Sequence, residues 1–186
     1  HAEEMNVQVP AEPQLFFKPI SALCGPDDPI VFPPQSRRVD YEGELAIVIK
    51  KRCHHVPAER AREYVLGYTC LNDVTARDLH VRDGQPTRAK SFDSFCPVGP
   101  CIATDIDPNG VDLETWVNGE RRQASNTKHL ICPIEDLVSR VSAIMTAVVE
   151  TCDQDTDVHE LMKTMTERRI RHVPVVHDGQ IIGIIS

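Results

Sequence analysis

The sequence predicts an α+β chain, with a strand-dominated front of about 145 residues and a small α/β unit behind it. Three observations predict it. Leu45-Ala46-Ile47-Val48-Ile49 is a continuous apolar run of strand length. Val111, Leu113, Thr115 and Val117 alternate up to Asn118-Gly119, the strongest short signal for a hairpin. Beyond about residue 145 the spacing turns helical: Val158, Leu161, Met162 and Met165 share one helix face, and two strand-like runs follow.

In chain order, the first forty residues carry seven prolines (10, 13, 19, 26, 29, 33 and 34), so they read as loops with short extended pieces. The 45–49 run reads as a strand buried on both faces. Pro57 then opens AERAREYVLG, expected to be a helix with proline in its first turn and Gly67 at its end. Residues 68–75 read as a strand running into a polar tip, and Asp107-Pro108-Asn109-Gly110 as a turn. The front is expected to hold about two helices. In the tail, Asp157 with Glu160 resembles a capping box. The order expected from Val148 is strand, helix, strand (172–176), a turn at Asp178-Gly179, and strand (181–185). Val173, Val175, Ile182 and Ile184 are expected to face inward, with Leu161 and Met165 covering them. Some 40 residues are too few to hold a core alone.

Composition excludes several classes. Of 186 residues, 41% are hydrophobic and 26% charged, a globular balance. Acids outnumber bases 28 to 20, for a net charge of −8, which argues against binding nucleic acid or an anionic membrane surface. No apolar run approaches the roughly 20 residues of a membrane helix. No signal peptide is visible, although a chain opening on His1 leaves a processed or truncated start open. With neither a membrane helix nor a signal peptide visible, the expected location is the cytoplasm; the seven scattered cysteines form no CxxC pair and read as small buried hydrophobes rather than disulfides. Cys53-His54-His55 has ligand types, but adjacent side chains diverge and do not readily converge on one ion.

Glu42 and Glu44 flank Gly43 at the start of the apolar strand, so both carboxylates point to one face and can reach a single cation. Asp73, at the end of the next strand-like run, can supply a third oxygen. Three carboxylates suit Mg²⁺, Mn²⁺ or Ca²⁺ rather than zinc. By spacing alone, alternating acids on a solvated edge strand are the commoner arrangement. His1 and Glu4 share a face if helical, and a carboxylate holding an imidazole sets its tautomer for base work. Frayed terminal residues would look the same. Lys90 in RAKSFD and Arg77 in TARD can hold an anion or simply decorate loops.

The ordered string HAEE, FFKP, SALCGPDDPI, VDYEGELAIVIKKRC, VLGYTCLNDVTARDL, RAKSFDSFCPVGP, VNGE, RQASNT and LVSRVSAIMT resembles the fumarylacetoacetate hydrolase family over residues 1–146. The resemblance implies a mixed β-roll with flanking helices, a homodimer, and a Mg²⁺ or Mn²⁺ ion. It implies cleavage or rearrangement of β-dicarbonyl and 2-oxo acids by a hydrolase, decarboxylase or isomerase, on acylpyruvate, fumarylacetoacetate or oxaloacetate types of substrate. It matches Glu42, Glu44 and Asp73 to metal ligands, and His1 with Glu4 to a water-activating pair. Lys90 matches a lysine that stabilises oxyanion charge. Arg77 and His80 match positions beside the substrate, His80 standing where many members have glutamine and Lys50 where glycine is usual after the strand.

Against the family pattern the stretch is incomplete at both ends, lacking the strand before the histidine and the closing strands after LVSRVSAIMT. From Ile144 onward the sequence resembles the first part of a cystathionine-β-synthase-type (CBS) module, expected over 147–186. Such modules bind adenine nucleotides in pairs, and half of one is expected to bind little. The alternatives to an enzyme are therefore a nucleotide-binding regulatory module and a non-functional hybrid.

Overall fold

A computed structural model describes residues 13–144, 151–168, 173–177 and 180–185, the side chains of 168 and 180–185 excepted. His1, Glu4, Val148, Val149, the Asp178-Gly179 turn and the side chains of Ile182 and Ile184 lie outside the described residues.

Four strands form the central sheet, in the order β1, β6, β4, β3: Leu23–Cys24 (β1), Gly43–Ile49 (β3), Val65–Asn72 (β4) and Cys96–Ala103 (β6). β1 runs parallel to β6, and the other pairs are antiparallel. A short ladder joins β2 (Val39–Asp40) to β5 (Thr75–Ala76), and β7 (Asp112–Val117) pairs with β8 (Glu120–Asn126) as a hairpin. The helices are α1 (Arg77–Asp83), α2 (Ile134–Ile144) and α3 (Val158–Arg168). The tail adds the antiparallel pair β9 (Val173–His177) and β10 (Gln180–Ile185). The α+β expectation holds, with β-rich structure in front and α3–β9–β10 behind.

Alternation on β3 and β4 divides two cores. Leu45, Ile47 and Tyr68 pack with Ala61, Ile134 and Val138, under α2. On the opposite face Leu71 and Val98 join Val74, Leu79, Phe95 and Cys96. Both hydrophobic sets are needed because a sheet of alternating pattern must cover each apolar face.

Three expectations are corrected. The 45–49 strand is half-buried rather than buried on both faces, because β3 stands at the sheet's edge among the described residues. AERAREYVLG is a 3-10 helix only over Ala58–Tyr64; Val65 already begins β4, and Gly67 lies inside that strand. A Cβ on Gly67 would stand 2.4 Å from the Ala103 carbonyl oxygen, so this glycine permits a close strand approach instead of ending a helix. In α3, Leu161 and Met165 face the tail core, but Val158 and Met162 are exposed.

The hairpin turn is as expected, with Asn118 at φ 53° and Gly119 at φ 78°, the left-handed pair a type I′ turn requires. Asp157 caps α3 through its Oδ1, which accepts from the N–H groups of His159 (2.9 Å) and Glu160 (3.1 Å). Cys152, Leu161 and Val173 form the tail's own small core with Met165 and Val175.

Candidate active site

Strand periodicity and one tight connection build the site. Glu44, opposite Leu71 on β4, shares the sheet face of Phe95 and Leu79, and Glu42 precedes it by two residues. The Asp73 N–H donates to the Glu42 carbonyl at 2.8 Å, and the Glu42 N–H to Asn72 Oδ1 at 3.0 Å. These bonds lock the end of β4 against the start of β3. As a result, one carboxylate oxygen from each of Glu42, Glu44 and Asp73 lies within 4.8 Å of the others. The space that Gly43 leaves on the other face is taken by the β7–β8 hairpin, whose Gln123 Oε1 accepts from the Gly43 N–H at 2.8 Å.

Cations surround the acids. Lys90 is 4% exposed; its Nζ donates to Glu42 Oε2 at 2.8 Å and to Asp73 Oδ2. Lys18 donates to Asp73 Oδ1 at 2.5 Å, and Arg77 to Glu42 Oε1 and, at 2.9 Å, to Asp40 Oδ2. His80 Nδ1 lies 3.3 Å from Arg77 Nη1. The Phe16 ring sits 4.9 Å from Lys90 Nζ. Sequence reasoning missed Lys18, Asp40 and Asn72. Lys18 lies in the FFKP stretch, but a lone lysine in a proline-rich loop carries no spacing signal.

The acids are not equivalent. Burial pushes Glu42 up, but Lys90 and Arg77 outweigh it, so its carboxyl lies below the usual range. Burial, then the charges of Asp73 and Glu42, push Glu44 up to about 7. The repulsion that Asp73 and Glu42 exert on Glu44 is one that a divalent cation would relieve. Three hard oxygen donors this close fit Mg²⁺ or Mn²⁺, with water completing the shell.

A cavity of about 400 Å³ lies between β3, the hairpin and α2. Leu45, Ile47, Leu113 and Ile134 help line it, and of the three clustered acids only Glu44 borders it. The cavity is thus largely apolar and separate from the cations.

A model of the fumarylacetoacetate (FAA) hydrolase C-terminal family matches residues 1–152, and the chain belongs to that family. A CBS-domain model matches residues 141–186. An uncharacterized protein of Archaeoglobus fulgidus is 58% identical over 146 residues, covering 78% of this chain and 58% of that protein. The mitochondrial oxaloacetate tautomerase Fahd2a of Rattus norvegicus is 43% identical over 150 residues, 78% of this chain and 48% of its own. Among solved structures, the 5-carboxymethyl-2-hydroxymuconate delta-isomerase of Mycobacterium smegmatis superposes with a TM-score of 0.72 at 52% identity, covering 78% of this chain and 58% of that one. The chain therefore spans only part of the length of each of these relatives.

Proposed function

We propose that this chain carries the metal and substrate site of an enzyme that rearranges or cleaves β-dicarbonyl and 2-oxo acids. The observation that carries the reading is the convergence of Glu42, Glu44 and Asp73 beside buried Lys90. Relatives named as an oxaloacetate tautomerase and a muconate delta-isomerase favour tautomerisation or isomerisation over hydrolysis. Hydrolase and decarboxylase chemistry remain the other branches of the same proposal.

Glu42, Glu44 and Asp73 would hold Mg²⁺ or Mn²⁺, which supplies Lewis-acid polarisation of a substrate carbonyl. Lys90 has three ammonium protons, and two are engaged by Glu42 and Asp73. The third is left for enolate charge developing on the substrate, in a site where burial strengthens the interaction. Arg77 and Lys18 add positive charge, which lets an acidic protein attract a small dianion. His1 and Glu4, outside the described residues, take the roles of base and its orienting carboxylate in this proposal.

The proposal includes the cytoplasm, since all seven cysteines are free. No described helix is long and apolar enough to cross a membrane. It also includes a homodimer: Phe17 and Ile20, 81% and 90% exposed, are apolar surface suited to burial against a second copy. The division at residues 146 and 147, with a partial CBS module behind it, rests on the second family match and on the separate tail core. Adenine nucleotide is the ligand that reading assigns to the tail.

The test is keto–enol interconversion of oxaloacetate by the purified chain with Mn²⁺, followed by enol absorbance. The expected rate exceeds that of free Mn²⁺ and falls to it after chelation. A rate equal to free Mn²⁺, with acylpyruvates also inert, overturns the reading.

A further inference from the structure

The backbone pairing that brings Glu42 to Asp73 continues outward from the site. The Arg77 N–H donates to the Arg38 carbonyl at 2.9 Å, Val39 pairs with Ala76, and Asp40 pairs with Thr75. This short ladder sets Asp40 beside the start of α1. The Arg77 side chain then spans two carboxylates, its Nε donating to Asp40 Oδ2 at 2.9 Å and its Nη2 to Glu42 Oε1. From the solvent side Arg38 grips the same aspartate, with Nε on Oδ1 at 2.9 Å and Nη2 on Oδ2 at 3.1 Å. Asp40 thus lies between two guanidinia, one exposed and one half-buried.

This aspartate alters the charge balance of the cluster. Among the described residues, Lys18, Lys90 and Arg77 pair with Glu42 and Asp73. Three such cations against the three acids Glu42, Glu44 and Asp73 leave no net negative charge to hold a divalent ion. Asp40 offsets the charge of Arg77 from outside the cluster. Arg38 cancels little of that effect, because solvent and salt screen an exposed charge. Direction matters as well. A guanidinium tied at Nε to Asp40 meets Glu42 through one nitrogen, whereas an untied fork closes on both oxygens of a carboxylate and draws it from other partners.

We propose that Asp40 is a positioning residue of the cation site: by holding Arg77 it keeps a Glu42 oxygen and its negative charge available to a divalent ion. This inference rests on the reading of Glu42, Glu44 and Asp73 as ligands of Mg²⁺ or Mn²⁺. It adds to that site a fourth acid, one that acts through Arg77 and touches neither metal nor substrate.

Two measurements on the full chain test it. In the metal-free protein the Arg77 Nε–H, held on a carboxylate, should give its own slowly exchanging nitrogen-15 signal. A signal averaged with those of the exposed arginines overturns the inference with no variant needed. Calorimetry with Mn²⁺ should show about tenfold weaker binding for Asp40→Asn, the usual cost of removing a group that orients a metal ligand. In an Arg77→Met background the same substitution should change Mn²⁺ affinity by less than about twofold, because the group through which Asp40 acts is gone. Melting curves identify a variant that fails to fold, and the arginine signal then decides. Equal Mn²⁺ affinity in Asp40→Asn overturns the inference and leaves the ligand reading standing. An undiminished loss in the Arg77→Met background also overturns it, since Asp40 then acts by some other route. No Mn²⁺ binding by the unaltered chain overturns the ligand reading and this inference together. Mn²⁺ binding that depends on Asp40 in a chain without turnover sinks the catalytic reading alone.

Discussion

Lys90 Nζ donates to Glu42 Oε2 at 2.8 Å across 48 residues of sequence, and the same ammonium also pairs with Asp73. The side chains of Lys90 and Asp73 are 5% and 3% exposed, so solvent does little to screen the pair. Lys90→Met removes that charge and leaves two buried acids with Arg77 and Lys18 as their remaining partners. Breaking a buried pair costs roughly 3–5 kcal/mol, and the surviving cations place the expected loss near the low end. Urea unfolding measures it; stability equal to that of the unaltered chain would refute the pairing.

Glu44 sets a pH dependence. Its folded carboxyl is raised to about 7 by burial, Asp73 and Glu42, against an ordinary value of 4.5. Between those values the folded chain holds a proton that the unfolded chain has lost, so metal-free stability falls as pH rises through this window and levels off above about 7. A bound cation must displace the same proton. Mn²⁺ affinity should therefore rise with pH, by at most about tenfold per unit for one proton, and flatten above about 7. Glu44→Gln should weaken Mn²⁺ binding and flatten the profile. Calorimetry between pH 5.5 and 8 decides, and an unchanged profile in the variant removes Glu44 from the site.

How much of this was legible in the residues follows from the range of each interaction. The Asn118-Gly119 hairpin and the Asp157 cap are local, set by positions within a few residues, and both were readable. Helix α1 was not: seven residues with one buried apolar side chain, Leu79, give no periodicity. Gly67 was misread because its role depends on Ala103, a partner on β6 that sequence spacing does not reveal. Glu42 and Glu44 were readable as a pair from strand alternation, but their junction with Asp73 depends on the bond from the Asp73 N–H to the Glu42 carbonyl, formed only in three dimensions. The family resemblance, rather than spacing, chose those acids over a solvated edge.

Gly67 carries its own prediction. A methyl there would stand 2.4 Å from the Ala103 oxygen and 2.8 Å from Ile102 Cγ2, and backbone cannot yield as a flexible side chain does. Gly67→Ala should destabilise the chain by roughly 1–3 kcal/mol, the usual cost of overpacking. Because β4 leads directly into Asn72 and Asp73, the strand shift should also weaken Mn²⁺ binding. A thermal melt matching the unaltered protein would show that β4 and β6 are farther apart than this.

The tail gives the last prediction. Leu161 is 6% exposed and packs with Cys152 and Val173, and this cluster shares no residue with the two cores around the sheet. Cys152 also bridges to Val175: its N–H donates to the Pro174 carbonyl at 3.0 Å, and the Val176 N–H donates to its own at 2.8 Å. So small a core has little reserve, and Leu→Ala in a buried site costs roughly 2–5 kcal/mol. Leu161→Ala should therefore open α3 and β9 while β3 and β4 stay folded. Hydrogen exchange should show faster exchange at the amides of Cys152 and Val176, with those of β4 unchanged and Mn²⁺ affinity preserved. Equal loss of protection in both regions would mean that tail and sheet unfold as one unit, and the independence of this small core would fall with it.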